Sequence, residues 1–417
     1  MPILRNIGTL ATCRADGAQG DIHSIHDAAL VWEEGRIVWM GPEAELPALD
    51  DARESWDAGG RLVIPGLIDC HTHLAFGGWR AGEFEQRLLG ESYQDIARAG
   101  GGIAATVEAT RAVSEEALSE RCVDFLHAML RLGVTTVECK SGYGLNTENE
   151  LKILRAYRRV SAMQPVRLVA TLLGAHVVPK EWKADRRRYV DLVIEEMIPA
   201  VAAENLAEFC DVFVEDTAFT VDEARRILGA GSAVGLKPKL HADQLAPGGG
   251  AELAAEVRAV SADHLEHASE AGLTEMARAG TVAVALPLAT LYLRQSPMAA
   301  RRFVDAHVPV AVATDFNPGS APSYDMHLAL LLACTFLGLT PSEALKGATV
   351  HAARAVGRER DIGSVEPGKA ADFAVIDAPD VTHWMYHFRP DTCRMTVVDG
   401  TVQWEAPGLS PAGTGRC

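Results

Sequence analysis

Eight short apolar runs, rich in β-branched residues, recur through the middle of the chain at 62–68, 134–139, 166–173, 209–214, 235–240, 259–262, 282–286 and 308–313. Longer alanine-rich, charged stretches with helical periodicity separate them. A strand followed by a helix forces parallel pairing, and eight such units predict a closed (β/α)8 barrel. The expected fold class is therefore α/β, a TIM barrel spanning 61–360. Barrels of this kind carry their chemistry at the carboxyl ends of the strands, so those ends are where reactive side chains should gather.

The two ends of the chain read differently. Leu30-Val31-Trp32 and Arg36-Ile37-Val38-Trp39 flank the turn Glu34-Gly35, while 373–376 and 395–398 precede Asp399-Gly400 and Thr401-Val402-Gln403-Trp404. Alternating strands with turn dipeptides predict a small flanking β-sandwich-like domain, composed of 1–60 and 361–417. The first crossover, 74–133, is unusually long, with Gly100-Gly101-Gly102 ahead of a helical run at 104–112, and is placed to cover the barrel mouth.

The strand ends carry the chemistry. The first run ends in His71-Thr72-His73, and because alternate strand residues face the same way, the two imidazoles converge. For this spacing alone, a histidine pair on an exposed strand end is the plain alternative. The third run ends near His176, the fifth delivers His241, the sixth Asp263-His264 and the eighth Asp315. A single histidine after a strand is commonly a hydrogen-bonded structural residue; their joint placement points to more. His71, His73, His241 and Asp315 form a sphere of three nitrogens and one oxygen that holds one divalent metal ion and leaves a position for water. A metal in such a site provides hydroxide near neutral pH, which makes hydrolysis the natural chemistry. His264 is then placed to orient or deprotonate the water and polarise a carbonyl, and Asp315 to carry a proton to the leaving nitrogen. Glu266 and His267 stand close behind His264 as candidate supports. A two-metal site wants a bridging lysine after the fourth run; Phe213-Val214-Glu215-Asp216 has none, so a single ion is expected.

Composition narrows the partners. A net charge of -17 on 417 residues argues against nucleic acid or an anionic membrane surface, both of which need a basic footprint. The eight cysteines show no CxxC pair, which predicts reduced thiols and a cytoplasmic protein. No apolar run approaches bilayer-spanning length, and the N-terminus lacks the apolar region of a secretion signal. A small-molecule substrate and a homodimer are expected; the run 325–337, with Leu328, Leu330, Leu331 and Leu332, offers a dimer face, although its ordinary reading is core.

Longer motifs identify a resemblance over nearly the whole chain. They are Pro65-Gly66-Leu67-Ile68-Asp69-Cys70-His71-Thr72-His73-Leu74, Phe76-Gly77-Gly78-Trp79-Arg80, Glu138-Cys139-Lys140-Ser141-Gly142-Tyr143-Gly144-Leu145, Lys239-Leu240-His241-Ala242-Asp243-Gln244 and Ala313-Thr314-Asp315-Phe316-Asn317-Pro318-Gly319-Ser320. The chain resembles the amidohydrolase superfamily and, within it, the imidazolonepropionases of histidine degradation. That resemblance implies water-driven opening of 4-imidazolone-5-propanoate to N-formimino-L-glutamate, with zinc or iron as the metal. It implies that Arg80 grips the propionate carboxylate as a planar fork, a geometry lysine lacks. Asn317, Gly319 and Ser320 look like the other carboxylate contacts, through side chain and backbone N–H groups. Tyr143 and His176 resemble the ring-binding positions. Gln244 resembles a polar contact to the ring or the nucleophilic water; as an amide it cannot serve as a base, which leaves that duty to His264 and Asp315. The alternatives are a related deaminase or cyclic-amide hydrolase acting on another heterocycle, which would not need Arg80, and a catalytically silent barrel, which would show broken ligand positions.

Overall fold

The computed structural model describes residues 1–48, 54–91, 95–96 and 100–407. Eight parallel strands pair in chain order: Leu67–Thr72, Val134–Lys140, Arg167–Ala175, Phe209–Val214, Lys237–Ala242, Ser261–His264, Val282–Ala285 and Val310–Val312. Helices run between them, giving the expected (β/α)8 barrel. The last strand meets the first at the carboxyl end, where Asp315 N–H donates to the His71 carbonyl at 3.1 Å and His73 N–H to the Phe316 carbonyl at 2.9 Å. Beneath them, Thr314 donates from its backbone N–H and its hydroxyl to Asp69, at 3.1 and 2.5 Å. The barrel therefore closes through the same residues that the sequence marks as ligands.

Both ends of the chain meet in one eight-stranded flanking sheet. Strand Pro2–Leu10 pairs with Ile25–Glu33, which pairs with Arg36–Pro42, and on the other side Phe373–Ile376, Cys393–Val398 and Thr401–Glu405 continue the sheet. Trp32 and Phe373 stand on strands that are not neighbours, yet their rings lie 5.1 Å apart, so the sheet folds over a small core of its own.

The first apolar run is two strands rather than one. Leu62–Pro65 belongs to the flanking sheet, parallel to Pro2–Leu10 and antiparallel to Phe373–Ile376, and the barrel begins only at Leu67. The run reads as continuously apolar because its alternate residues enter different cores: Leu62 and Ile64 pack with the barrel, Val63 with the flanking sheet. Pro65 has no N–H to extend a ladder, and Gly66 makes the step between sheets. The fifth, sixth and eighth strands start two residues later than hydropathy suggests, at Lys237, Ser261 and Val310. Two of them also run further, because His241 and His264 are paired strand residues opposite Phe213 and Ala242. In helix Met326–Leu337, Leu330, Leu331 and Leu332 are buried within the chain, so this run is core and not a free dimer face. The seven described cysteines are unpaired, and Cys417 lies outside the described residues.

A Cβ on Gly66 would fall 2.3 Å from Thr135 Oγ1 and 2.4 Å from its Cγ2, and Thr135 is fully buried. Gly66→Ala is therefore expected to cost about 1–3 kcal/mol of stability through overpacking at the junction of the two sheets. Denaturant unfolding measures this, and an unchanged midpoint would contradict the packing described.

Candidate metal centre and pocket

His71 Nε2 and His73 Nε2 lie 3.5 and 3.6 Å from Asp315 Oδ1, and His73 Nε2 lies 3.4 Å from His241 Nε2. Four ligands placed tetrahedrally at ~2.1 Å from one cation stand about 3.4 Å from each other, so the spacing suits a zinc-like ion. All four side chains are buried, and His71 Nε2 and His73 Nδ1 have no hydrogen-bond partner there. Orphaned buried polar atoms are costly, and a cation facing His71 Nε2 removes that cost. Burial, with Lys140 and the neighbouring histidines, holds His71, His73 and His241 well below the usual imidazole range, in the neutral form that ligates.

What orients the rings lies one layer deeper. His71 Nδ1–H donates to Asp263 Oδ2 at 2.6 Å, and His241 Nδ1–H donates to Asp211 Oδ1 at 3.1 Å. Each bond leaves Nε2 as the lone-pair atom facing the cage. Asp211 was not singled out from the sequence, and Asp263 appeared there only beside His264 at the end of the sixth run. The available signal was period two: Asp69/His71, Glu138/Lys140, Lys239/His241 and Ser261/Asp263 each put polar partners on one face of an otherwise apolar strand.

His264 stands beside the cage, its ring centroid 5.7 Å from that of His71 and 5.5 Å from that of His241. Burial disfavours its charge, but Glu266, whose carboxylate lies 3.8 Å from Nδ1, together with Asp315 and Asp263, raises it above the ordinary imidazole range. Glu266 thus turns toward His264, whereas His267 does not line the pocket. Burial pushes the Asp315 carboxyl up to about 7, against the pull of His264 and Asn317. Both residues sit with positive φ, 80° for His264 and 56° for Asp315, where a non-glycine residue is strained.

A cavity of about 310 Å³ opens over the cage, and Arg80, Tyr143, His176, Gln244, Asn317 and Ser320 line it with His73, His241, His264 and Asp315. Arg80 and Ile103 come from the long first crossover, which does reach the mouth. The Arg80 guanidinium has Nε and Nη1 buried without a hydrogen-bond partner; Glu83 is its nearest charge, at 3.8 Å. The tip of the fork reaches Gly319, where a Cβ would fall 0.9 Å from Nη2. His176 donates from Nδ1–H to the Gly142 carbonyl at 3.0 Å, and burial takes it down to about 4, so a neutral ring presents Nε2 as an acceptor. The loop bearing Tyr143 is held by Glu150, a residue sequence reading missed, which accepts N–H groups of Gly142, Gly144 and Leu145 at 3.0, 2.7 and 2.7 Å.

One expectation changes in detail. The Asn317 carbonyl accepts the N–H groups of Gly319 and Ser320, both at 2.8 Å, and its amide donates to the Asp315 carbonyl at 2.7 Å and to Ser320 Oγ at 2.8 Å. The two backbone donors expected to meet a carboxylate are thus engaged inside the loop, and Gly319 contributes through its missing side chain.

Asp263→Asn removes the negative charge behind His71 and leaves one oxygen acceptor where two now serve His71 Nδ1–H and Ser261 Oγ–H, with Lys140 beside them. Affinity for zinc(II) is expected to fall roughly 10–100-fold, as for other partners of metal-binding histidines. Competition with a chelator measures it, and wild-type affinity in the variant would contradict the assignment.

Residues 62–402 match the amidohydrolase family. The chain is 49% identical over 387 residues to the imidazolonepropionase of Geobacillus kaustophilus (strain HTA426), covering 92% of this chain and 91% of that one. It is 51% identical over 372 residues to the imidazolonepropionase of Myxococcus xanthus (strain DK1622), covering 88% of each. Among solved structures, Escherichia coli guanine deaminase superposes with a TM-score of 0.74 over 97% of this chain and 99% of that one, at 16% identity. An atrazine chlorohydrolase of Arthrobacter aurescens TC1 complexed with zinc superposes with a TM-score of 0.71 over 97% and 95%, at 17% identity. The structural neighbours share the fold; the close sequence relatives and the metal-centre geometry together make the chain a member of the amidohydrolase family, on its imidazolonepropionase branch.

Proposed function

We propose that the chain hydrolyses 4-imidazolone-5-propanoate to N-formimino-L-glutamate, using one divalent ion, zinc or iron, held by His71, His73, His241 and Asp315. The observation that carries this reading is an arginine fork, with Nε and Nη1 buried and not hydrogen-bonded, in the same cavity as a histidine and aspartate cage. A carboxylate tail and a ring carbonyl on one small molecule match those two features, and a plain purine or pyrimidine offers no tail. The cation, when bound, is a Lewis acid that makes water nucleophilic near neutral pH.

The protein groups do the rest. Arg80 takes the propionate carboxylate, joined by the Ser320 hydroxyl, while Asn317 holds the loop in shape and Gly319 leaves room for the guanidinium. His176 Nε2 accepts a ring N–H, Tyr143 packs beside it, and Gln244 contacts the ring or the water. Water oxygen adds to the ring carbonyl, the ring C–N bond breaks, and the freed nitrogen takes up a proton. Asp315 accepts the proton of water and hands it on, and His264, supported by Glu266, stabilises charge on the carbonyl oxygen. Seven described cysteines without a disulfide support placement in the cytoplasm.

The reaction is tested by following loss of imidazolonepropionate absorbance, with the substrate generated in situ from urocanate by urocanase. Rapid decay with formiminoglutamate formed, lost on metal removal and in His241→Ala, is the expected result. No acceleration by metal-loaded protein would remove the substrate assignment. Arg80→Ala and Gly319→Ala are each expected to raise KM about 10–100-fold, the worth of a charged hydrogen bond, with metal content unchanged. An unchanged KM in both would place the carboxylate elsewhere.

A further inference from the structure

The Lys140 of the Lys-Ser-Gly-Tyr-Gly motif does not face the pocket. It stands on the second barrel strand with no solvent exposure, below the metal cage. Its ammonium donates to Asp211 Oδ2 at 2.7 Å and to Glu138 Oε1 at 2.9 Å, and lies 3.4 Å from Asp263 Oδ2. Asp211 and Asp263 are the carboxylates that hold His241 and His71, through their Nδ1–H groups at 3.1 and 2.6 Å. A second buried lysine, Lys239, is offset: it lies 3.5 Å from Glu138 and donates to the Cys70 carbonyl at 3.3 Å.

We infer that Lys140 is a positioning residue for the metal centre, one ammonium that fixes both carboxylate-to-histidine pairs and thereby aims two of the three imidazole ligands. Single carboxylates behind a ligand histidine are a general device. Here the two carboxylates stand on the fourth and sixth strands and converge on one cation from the second, so the rings of His71 and His241 are tied to a common point. Without the ammonium, the two buried carboxylates lose the one donor that holds them to a common point, and neither is fixed against its histidine. A carboxylate that swings away no longer offers the acceptor that keeps Nδ1–H, and not Nε2–H, on the ring. This inference rests on the metal reading of the cage given above.

The test separates aiming from plain charge neutralisation. Lys140→Met removes the ammonium. The double variant Glu138→Gln with Lys140→Met removes one positive and one negative charge, so the net charge of the buried group is that of the wild type, and Lys239 is left to face Asp211 and Asp263. Zinc(II) affinity is read by chelator competition and folding by thermal unfolding of the metal-free proteins. The expected result is a dissociation constant raised roughly 10–100-fold in the single variant and still raised in the double variant, whose unfolding temperature returns toward wild type. Where the single variant does not fold, the double variant decides. Wild-type zinc affinity in either variant overturns the inference, and so does failure of both to fold, because Lys140 is then a structural residue only. Wild-type protein that binds no zinc(II) or iron(II) removes the metal reading itself; tight binding that survives both variants removes this inference alone.

Discussion

Moving carboxylates and ammonium groups out of water is costly, and the barrel does it five times in one buried layer. Glu138, Lys140, Asp211, Lys239 and Asp263 have no solvent exposure, inside a fold whose interior layers are ordinarily filled by valine, isoleucine and leucine. Replacing buried ion clusters by apolar residues is often neutral or stabilising in other proteins, so stability does not explain this layer. Its geometry does. Two of the five groups hold histidines of the cage, and the others hold those two or one another. The apolar core around the layer offsets its desolvation and keeps water out, which in turn keeps the interactions strong.

The same residues close the barrel. Because Asp315 N–H meets the His71 carbonyl and His73 N–H meets the Phe316 carbonyl, the main chain of the ligands is the ladder that joins the last strand to the first. Misplacing the seam therefore misplaces three of the four cage residues at once. The strained backbone at Asp315 and His264 belongs to the same economy of position: the left-handed turn points each side chain back over the cage instead of onward along the strand.

Much of this was legible from local rules. His71 and His73 follow from strand parity, and His241 and Asp315 from their places after apolar runs, because both arguments need only a few neighbouring residues. What escaped depends on distant pairing. Asp211 reads as an ordinary acidic residue in an apolar strand, and Asp263 only as the neighbour of His264, until the barrel brings them behind His241 and His71, 30 and 192 positions away. Glu150 reads as a helix residue until its carboxylate is seen to gather three N–H groups of the Tyr143 loop. The break at Gly66 was hidden because both neighbouring strands are buried, in different cores, and hydropathy records burial without saying against what. Asn317 was placed correctly at the pocket, but its hydrogen bonds run inward to its own loop.

The division of labour between floor and rim explains how one fold serves unlike heterocycles. Guanine deaminase shares the architecture over 97% of this chain at 16% identity, so little in the strands beyond their pattern needs to persist for the barrel to form. Side chains that reach the cavity from loops differ more freely, and here one of them is Arg80, set against Gly319. The Arg80 Nη2 stands where a Cβ on residue 319 would fall, so only a glycine there leaves room for the fork at the cavity wall. A lysine at the same position would keep the charge and lose the plane. The ring carbonyl would then approach the cage from a range of angles, and the precise aim built into the buried layer below would be wasted.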